Sequence, residues 1–174
     1  FSYSKKTPFK RLKVKLKNGL VIPLRKKILW SEYGPVVKND NGVFSFHLSA
    51  LENISAIDQW YQMNKAKNFE DFKTALKIMG IPRFNIVYAD KEDNIFYMSN
   101  GLIPLRDTNF NWKLTLPGNT SKTKTNGYYS FKDLPQLENP ISGYIFNTNN
   151  SPFNCTEKLY NLKEENFHKS LGYR

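Results

Sequence analysis

The densest grouping of residues able to do chemistry lies late in the chain, where Asn147, Asn149 and Asn150 place three amides within four positions. Asparagine sits poorly inside a strand or a helix. Such a cluster therefore either builds Asx turns or presents side-chain N–H groups to a ligand or to a developing oxyanion. Composition alone favours the turn. The flanking residues sharpen the local reading: Asn139-Pro140 and Ser142-Gly143 are turn dipeptides, and Tyr144-Ile145-Phe146 is an aromatic and β-branched run. They predict a turn, a short strand over 144–146, and then the amides.

Few other groupings could carry a reaction. Cys155 is the only cysteine, so an internal disulfide and a CxxC metal pair are both excluded. His47 and His168 are far apart and show no zinc spacing. Asp90, Glu92, Asp93 and Asn94 resemble a calcium loop, but the central glycine and closing glutamate of an EF-hand are missing, which leaves a turn. There is no phosphate-binding glycine loop and no GxSxG elbow.

The elements that must position the amides follow from periodicity. Phe9, Leu12, Val14 and Leu16 alternate with Lys13, Lys15 and Lys17, and Asn18-Gly19 leads into an apolar run over 20–24. This predicts a hairpin closed by a two-residue type I′ turn, with lysines along one face. Strands are expected over 27–32 and 43–48, the latter containing His47. Ser55 with Asp58 resembles a capping box opening a helix that ends near Asn64, with Ile57, Trp60 and Tyr61 on its apolar side. Asn68 caps a second helix with Glu70 and Asp71 in its first turn and Phe69, Phe72, Leu76 and Met79 on one stripe; Gly80 and Pro82 stop it. A further hairpin joins 84–90 to 95–99. Residues 100–126 read as loop, and a run that long in a compact domain usually serves a function or covers a neighbouring surface. The segment from Cys155 to Arg174 is expected to be a frayed tail with an amphipathic stretch over 159–167.

The bulk numbers bound the class. At 174 residues with 15% aromatics the chain suits one folded domain. Its 26 Lys and Arg against 15 Asp and Glu give a formal charge of +11. Residues 5–27 hold a dense run of those bases and no acid. One reading is a basic β-rich module whose strand over 10–17 binds nucleic acid or an anionic polymer, with affinity that falls as salt rises. The other is a solvated or protected edge strand, favoured by the lack of interleaved aromatics. No apolar run reaches the roughly 18 residues needed to cross a bilayer. A start at Phe1 reads as a processed chain or an excised piece, for which a missing signal peptide carries no information.

Five motifs in order resemble the penicillin acylase family of N-terminal-nucleophile amidohydrolases, which includes acyl-homoserine lactone acylases. They are Tyr33-Gly34-Pro35-Val36-Val37; Asn85 to Asp90 with Asn94-Ile95-Phe96-Tyr97; Gly101 with Ile103-Pro104-Leu105-Arg106; Leu116-Pro117-Gly118; and Leu134-Pro135 through Asn139-Pro140 and Ser142-Gly143-Tyr144-Ile145 to Asn147-Thr148-Asn149-Asn150. The resemblance implies an α+β fold, part of an αββα sandwich of antiparallel strands, here with two short helices around 55–80. It also implies an enzyme that hydrolyses the amide of a small N-acyl compound through an acyl-enzyme on an N-terminal serine, whose own amine is the base. Asn149 matches the family's side-chain oxyanion donor.

On the same resemblance the chain is a single incomplete domain, an internal piece of the large subunit of a periplasmic or secreted enzyme. The serine, a second oxyanion donor and the small subunit would lie upstream, and an active-site arginine downstream. The partners implied are the rest of the precursor and the small-molecule substrate, with neither nucleic acid nor membrane. The chemistry needs no cofactor. A structural calcium would be held in part by the backbone carbonyl of Trp112. Thr125 stands where relatives usually carry tryptophan.

Overall fold

A computed structural model describes residues 9–51 and 53–171. Phe1, Lys5, Lys6 and the last three residues of the expected tail lie outside the described residues. Contacts divide the chain into two compact units, Phe1–Leu48 with Trp112–Lys124, and Ser49–Asn111 with Thr125–Arg174.

In the first unit, β1 (Phe9–Lys15) pairs antiparallel with β2 (Val21–Lys27), with Leu12 opposite Leu24 and Val14 opposite Ile22. The turn differs from the type I′ expectation. Gly19 N–H donates to the Leu16 carbonyl at 2.9 Å, Leu16 N–H donates to the Leu20 carbonyl at 2.8 Å, and only Gly19, at φ 86°, is left-handed. That is a three-residue loop ending in a left-handed glycine. Asn18 has no need of a left-handed backbone, because its Oδ1 accepts from Leu20 N–H at 3.1 Å. Leu12, Val14, Leu16, Leu20, Ile22 and Leu24 are exposed, as is usual for a two-stranded ribbon.

β3 (Leu29–Ser31), β4 (Gly34–Asn39) and β5 (Gly42–Ser45) form a meander in that order. The strand expected over 27–32 is thus divided, with Lys27 ending β2 and Ile28 in neither strand. The strand expected over 43–48 stops at Ser45, where its register with Val36 runs out, so His47 lies beyond it. Gly34 is required to be glycine: it sits at φ 124°, and a Cβ there would lie 2.3 Å from the Phe46 carbonyl oxygen. Tyr33 donates its hydroxyl to the Thr120 carbonyl, and Lys124 pairs with Glu32, tying the loop over 112–124 to the β3–β4 turn. The Lys124 ammonium holds the Glu32 carboxyl below its usual range.

The second unit is built on β6 (Phe84–Ala89), β7 (Ile95–Asn100) and β8 (Gln136–Glu138), antiparallel in the order β6-β7-β8. Its register sorts the side chains onto two faces. Ile86, Tyr88, Phe96, Met98 and Asn100 share one, and Asn85, Val87, Tyr97 and Ser99 the other. The first face packs on two helices, α1 (Ala56–Lys65) and α2 (Phe69–Leu76). Phe69 stacks on Tyr88 with centroids 5.2 Å apart and meets Phe96 edge-on at 5.3 Å. Among the described residues, no helix is long and apolar enough to cross a membrane. The class is α+β with antiparallel sheets, as the sequence implied.

α2 starts as expected, with Asn68 Oδ1 accepting from Asp71 N–H at 2.8 Å. α1 does not. Ser55 makes no side-chain cap, because its backbone at φ −78°, ψ 13° lies outside the extended region that aims a cap. The expected apolar side is also wrong: Ile57 is 83% exposed, and Trp60 and Tyr61 are exposed too. The buried residue is Gln59, flanked by Ala56 and Met63 against the core. Gln59 Oε1 accepts from Gly80 N–H at 2.6 Å and Ile81 N–H at 3.1 Å, while its Nε2 donates to Asn100 Oδ1 at 2.8 Å. Asn100 then donates to the Leu76 carbonyl at 2.9 Å. Burial without these bonds would be costly, so the polar contacts, rather than the apolar count, fix the rotation of α1. Gly80 approaches α1 so closely that a Cβ would lie 2.5 Å from the Ser55 carbonyl carbon.

The tail does not fray through its described part. Leu171 is buried in the core cluster, and Arg83 Nη1 donates to its carbonyl at 3.2 Å. Asn161 Oδ1 accepts from Cys155 N–H at 2.9 Å and Thr156 N–H at 3.0 Å, and the Tyr129 hydroxyl is 2.9 Å from His168 Nδ1. The amphipathic stretch over 159–167 forms short 3-10 turns instead of a helix.

Two measurements test this account. Gln59→Leu keeps the bulk but orphans two backbone N–H groups and the Asn100 amide; urea unfolding is expected to show a loss of about 2 to 4 kcal/mol. The second concerns the β6–β7 turn. There Asp90 accepts from Tyr88 Oη at 2.9 Å, from the backbone N–H of Glu92 and Asn94, and from the Asn94 amide. Burial acts to raise the Asp90 carboxyl, but those hydrogen bonds outweigh it and hold it below the ordinary value. A depressed folded pKa contributes stability above the unfolded value of about 3.9 that is lost as pH falls through the folded one. Burial, followed by Asp90, pushes Tyr88 up to about 12. That contribution is present below about 10 and lost as pH rises through the folded value. Asp90→Asn should flatten the acid limb of a stability-against-pH curve; an unchanged limb would show that Asp90 does not set it.

Candidate oxyanion site

The amide cluster follows β8 through two turns that the sequence anticipated. Asn139, left-handed at φ 44°, donates its N–H to the Ile95 carbonyl at 2.9 Å and accepts Ile95 N–H on Oδ1 at 2.8 Å. It thereby satisfies both backbone groups at the start of β7. Gly143 N–H returns to the Pro140 carbonyl at 2.9 Å. Residues 144–146 do not form the expected strand, because their partners are not another strand. Thr156 Oγ1 donates to the Tyr144 carbonyl at 2.7 Å, and Phe146 N–H donates to the Cys155 carbonyl at 2.8 Å.

The three asparagines are put to different uses. Asn147 Oδ1 accepts from Asn149 N–H at 3.1 Å and from Asn85 Nδ2 at 3.4 Å. Asn150 Oδ1 accepts from Thr148 N–H at 2.7 Å, and its Nδ2 donates to the carbonyls of Ser151, at 3.2 Å, and Asn154. Both amides are consumed in building the loop. Asn149 is exposed and left-handed at φ 65°, with its backbone N–H held. Among the described residues its side-chain amide has no hydrogen-bond partner. A side-chain N–H held on a fixed backbone and not spent within the protein is what an oxyanion donor needs.

Nearby groups are poor nucleophiles. Cys155 is fully buried, its thiol donates to the Pro152 carbonyl at 3.3 Å, and burial pushes it up to about 11. Ser142 shares a hydrogen bond with Thr156. Two of the open clefts among the described residues illustrate the surroundings. One of about 310 Å³ is lined by Ser31, Glu32, Tyr33, Gly118, Asn119, Thr120, Ser121 and Lys124; the other, of about 350 Å³, lies between the helices and includes Asp58, Lys65, Asp71 and Thr74. Asn149 lines neither.

Trp112 lies in a turn, half-buried. Among the described residues no three or more His, Cys, Asp or Glu side chains group to hold a metal ion. These residues do not by themselves fit a calcium. Sequence reasoning named Asn139 only as a turn former and Asn85 only within a motif, and it passed over Gln59. For Asn85 a signal existed, namely an asparagine inside a strand pattern that otherwise favours β-branched and aromatic residues.

Comparison with known proteins covers nearly the whole chain. The family described as Penicillin amidase matches residues 4–174. Penicillin G acylase of Escherichia coli is 36% identical over 106 residues, covering 58% of this chain and 12% of that protein. The acyl-homoserine lactone acylase PvdQ of Pseudomonas fluorescens (strain Pf0-1) is 30% identical over 101 residues, covering 53% of this chain and 13% of that protein. The solved structure of a thermostable penicillin G acylase from Alcaligenes faecalis superposes with a TM-score of 0.70 at 25% identity, covering 91% of this chain and 29% of that one. The chain thus spans a small share of the acylases it matches.

Proposed function

Because this chain belongs to the penicillin amidase family, a family of acylases acting on small molecules, we propose that the protein carrying it hydrolyses the amide bond of an N-acyl compound, with Asn149 as one oxyanion donor. The observation that carries the reading is the division of labour in the loop: two asparagine amides are spent on structure and the third is presented.

The proposed reaction is an acyl transfer. The hydroxyl of an N-terminal serine, relieved of its proton by its own α-amine, attacks the amide carbonyl, and the negative charge moves onto the carbonyl oxygen. Asn149 Nδ2 donates to that oxygen. The C–N bond then breaks, the amine leaves with the proton, and water hydrolyses the ester to the carboxylic acid. No step calls for a cofactor. The serine belongs to the polypeptide outside this chain, a placement supported by the 12% to 13% of the acylases' length that the chain covers. We place that protein in the periplasm or outside the cell on family resemblance.

The remainder of the same precursor is the natural partner. Ile54 and Ile57 are 92% and 83% exposed, and Ile141 and Leu159 are exposed as well.

In the processed full-length enzyme, Asn149→Ala should lower kcat on a chromogenic penicillin G analogue or a long-chain acyl-homoserine lactone by about 10² to 10³-fold, with KM little changed. An unchanged kcat would remove Asn149 from the reaction. The 174-residue chain alone should give no turnover. Turnover by that chain that disappears on Asn149→Ala would overturn the placement of the serine.

A further inference from the structure

We propose that Asn85, on β6, is a positioning residue that sets the geometry of the Asn149 amide through Asn147; this rests on the reading of Asn149 as an oxyanion donor. Tyr97 is fully buried on β7 and donates its hydroxyl to Asn85 Oδ1 at 2.8 Å. The two residues are diagonal neighbours on the sheet face turned away from the helices, since Asn85 pairs with Ser99 and Val87 with Tyr97. Asn85 Nδ2 then reaches Asn147 Oδ1 at 3.4 Å, and the same oxygen accepts Asn149 N–H at 3.1 Å.

The direction of this relay is fixed at one end by chemistry. A backbone N–H can only donate, so the Asn147 atom facing Asn149 must be its oxygen. The Asn85 atom facing that oxygen must then be the nitrogen, which leaves Asn85 Oδ1 toward Tyr97 and makes the tyrosine the donor. One orientation satisfies every member, and the far end is a rigid strand in the core. The relay therefore holds a left-handed, exposed asparagine to the packed sheet. That matters because oxyanion stabilisation depends on donors preorganised to within a few tenths of an ångström.

Asn85→Asp is the informative variant. It is isosteric and keeps the acceptor for Tyr97, but puts an oxygen where Asn147 Oδ1 needs a donor. In the processed full-length enzyme it should lower kcat about tenfold with KM nearly unchanged, and it should cost nothing further in an Asn149→Ala background. Hydrogen exchange in the peptide spanning 147–150 should accelerate in Asn85→Asp whatever the substrate. If Asn149→Ala leaves kcat unchanged, the donor reading falls and the positioning role falls with it. If Asn149→Ala lowers kcat but Asn85→Asp costs the same factor in both backgrounds, or nothing in either, or leaves the exchange rate unaltered, Asn85 does not position the donor.

Discussion

The buried amide of Gln59 is the contact on which the second unit depends. It accepts from Gly80 and Ile81 just beyond α2 and donates to Asn100 at the end of β7, so one side chain joins both helices to the sheet. The apolar residues around it, Leu76, Ile81, Phe96 and Met98, would collapse with many rotations of α1, because hydrophobic burial has no direction. Hydrogen bonds do have direction, and leaving three buried groups unmet would cost several times what a single satisfied bond contributes. The amide therefore selects the packing that the apolar residues then stabilise.

Once that face of the sheet is closed by helices, the opposite face is left for polar work. Strand alternation requires that Asn85, Tyr97 and Ser99 point away from Asn100, Met98 and Ile86. Tyr97 and Ser99 are nonetheless buried, so this face is covered along β7 although Val87 on β6 is exposed, and it meets the amide loop through the polar contact of Asn85 with Asn147. A core on one side and a network of amides and a hydroxyl on the other let one β-hairpin supply both stability and a fixed platform for Asn149. Loops gain precision by being tied to such elements, and the left-handed backbones of Asn139 and Asn149 are tolerated because asparagine adopts that region with little cost.

What could be read from the sequence was local. The cap at Asn68, the β6–β7 hairpin and the turns at Asn139 and Gly143 are each encoded within a few residues, and each forms; the stripe of α2 forms for Phe69, Phe72 and Leu76, while the helix ends at Leu76 and leaves Met79 beyond it at φ 48°. The misreadings involve partners remote in sequence. Gln59 meets Asn100 across 41 positions, and that contact turns α1 away from the face its apolar residues advertise. Arg83 meets Leu171 across 88, so a segment with nothing nearby to pack on is buried rather than frayed. Residues 144–146 have strand-forming side chains but find Thr156 and Cys155 in place of a neighbouring strand. Propensity fails here in the usual way, through tertiary contacts that outweigh it.

Family likeness singles out Asn149 as the proposed donor, and the geometry favours that asparagine over its neighbours. An amide already bonded on both atoms would have to break a contact to meet an oxyanion, spending on rearrangement what the new bond returns. Asn147, whose Nδ2 donates to Asn150 Oδ1 at 3.5 Å, and Asn150 are in that position, whereas Asn149 is held only by its backbone. The same logic reaches back into the sheet. A donor that is free at its tip must be fixed at its root, and the nearest rigid root is Tyr97 in the core, reached through Asn85. The strand motif around Asn85 is thus joined by hydrogen bonds to the amide motif that contains Asn149.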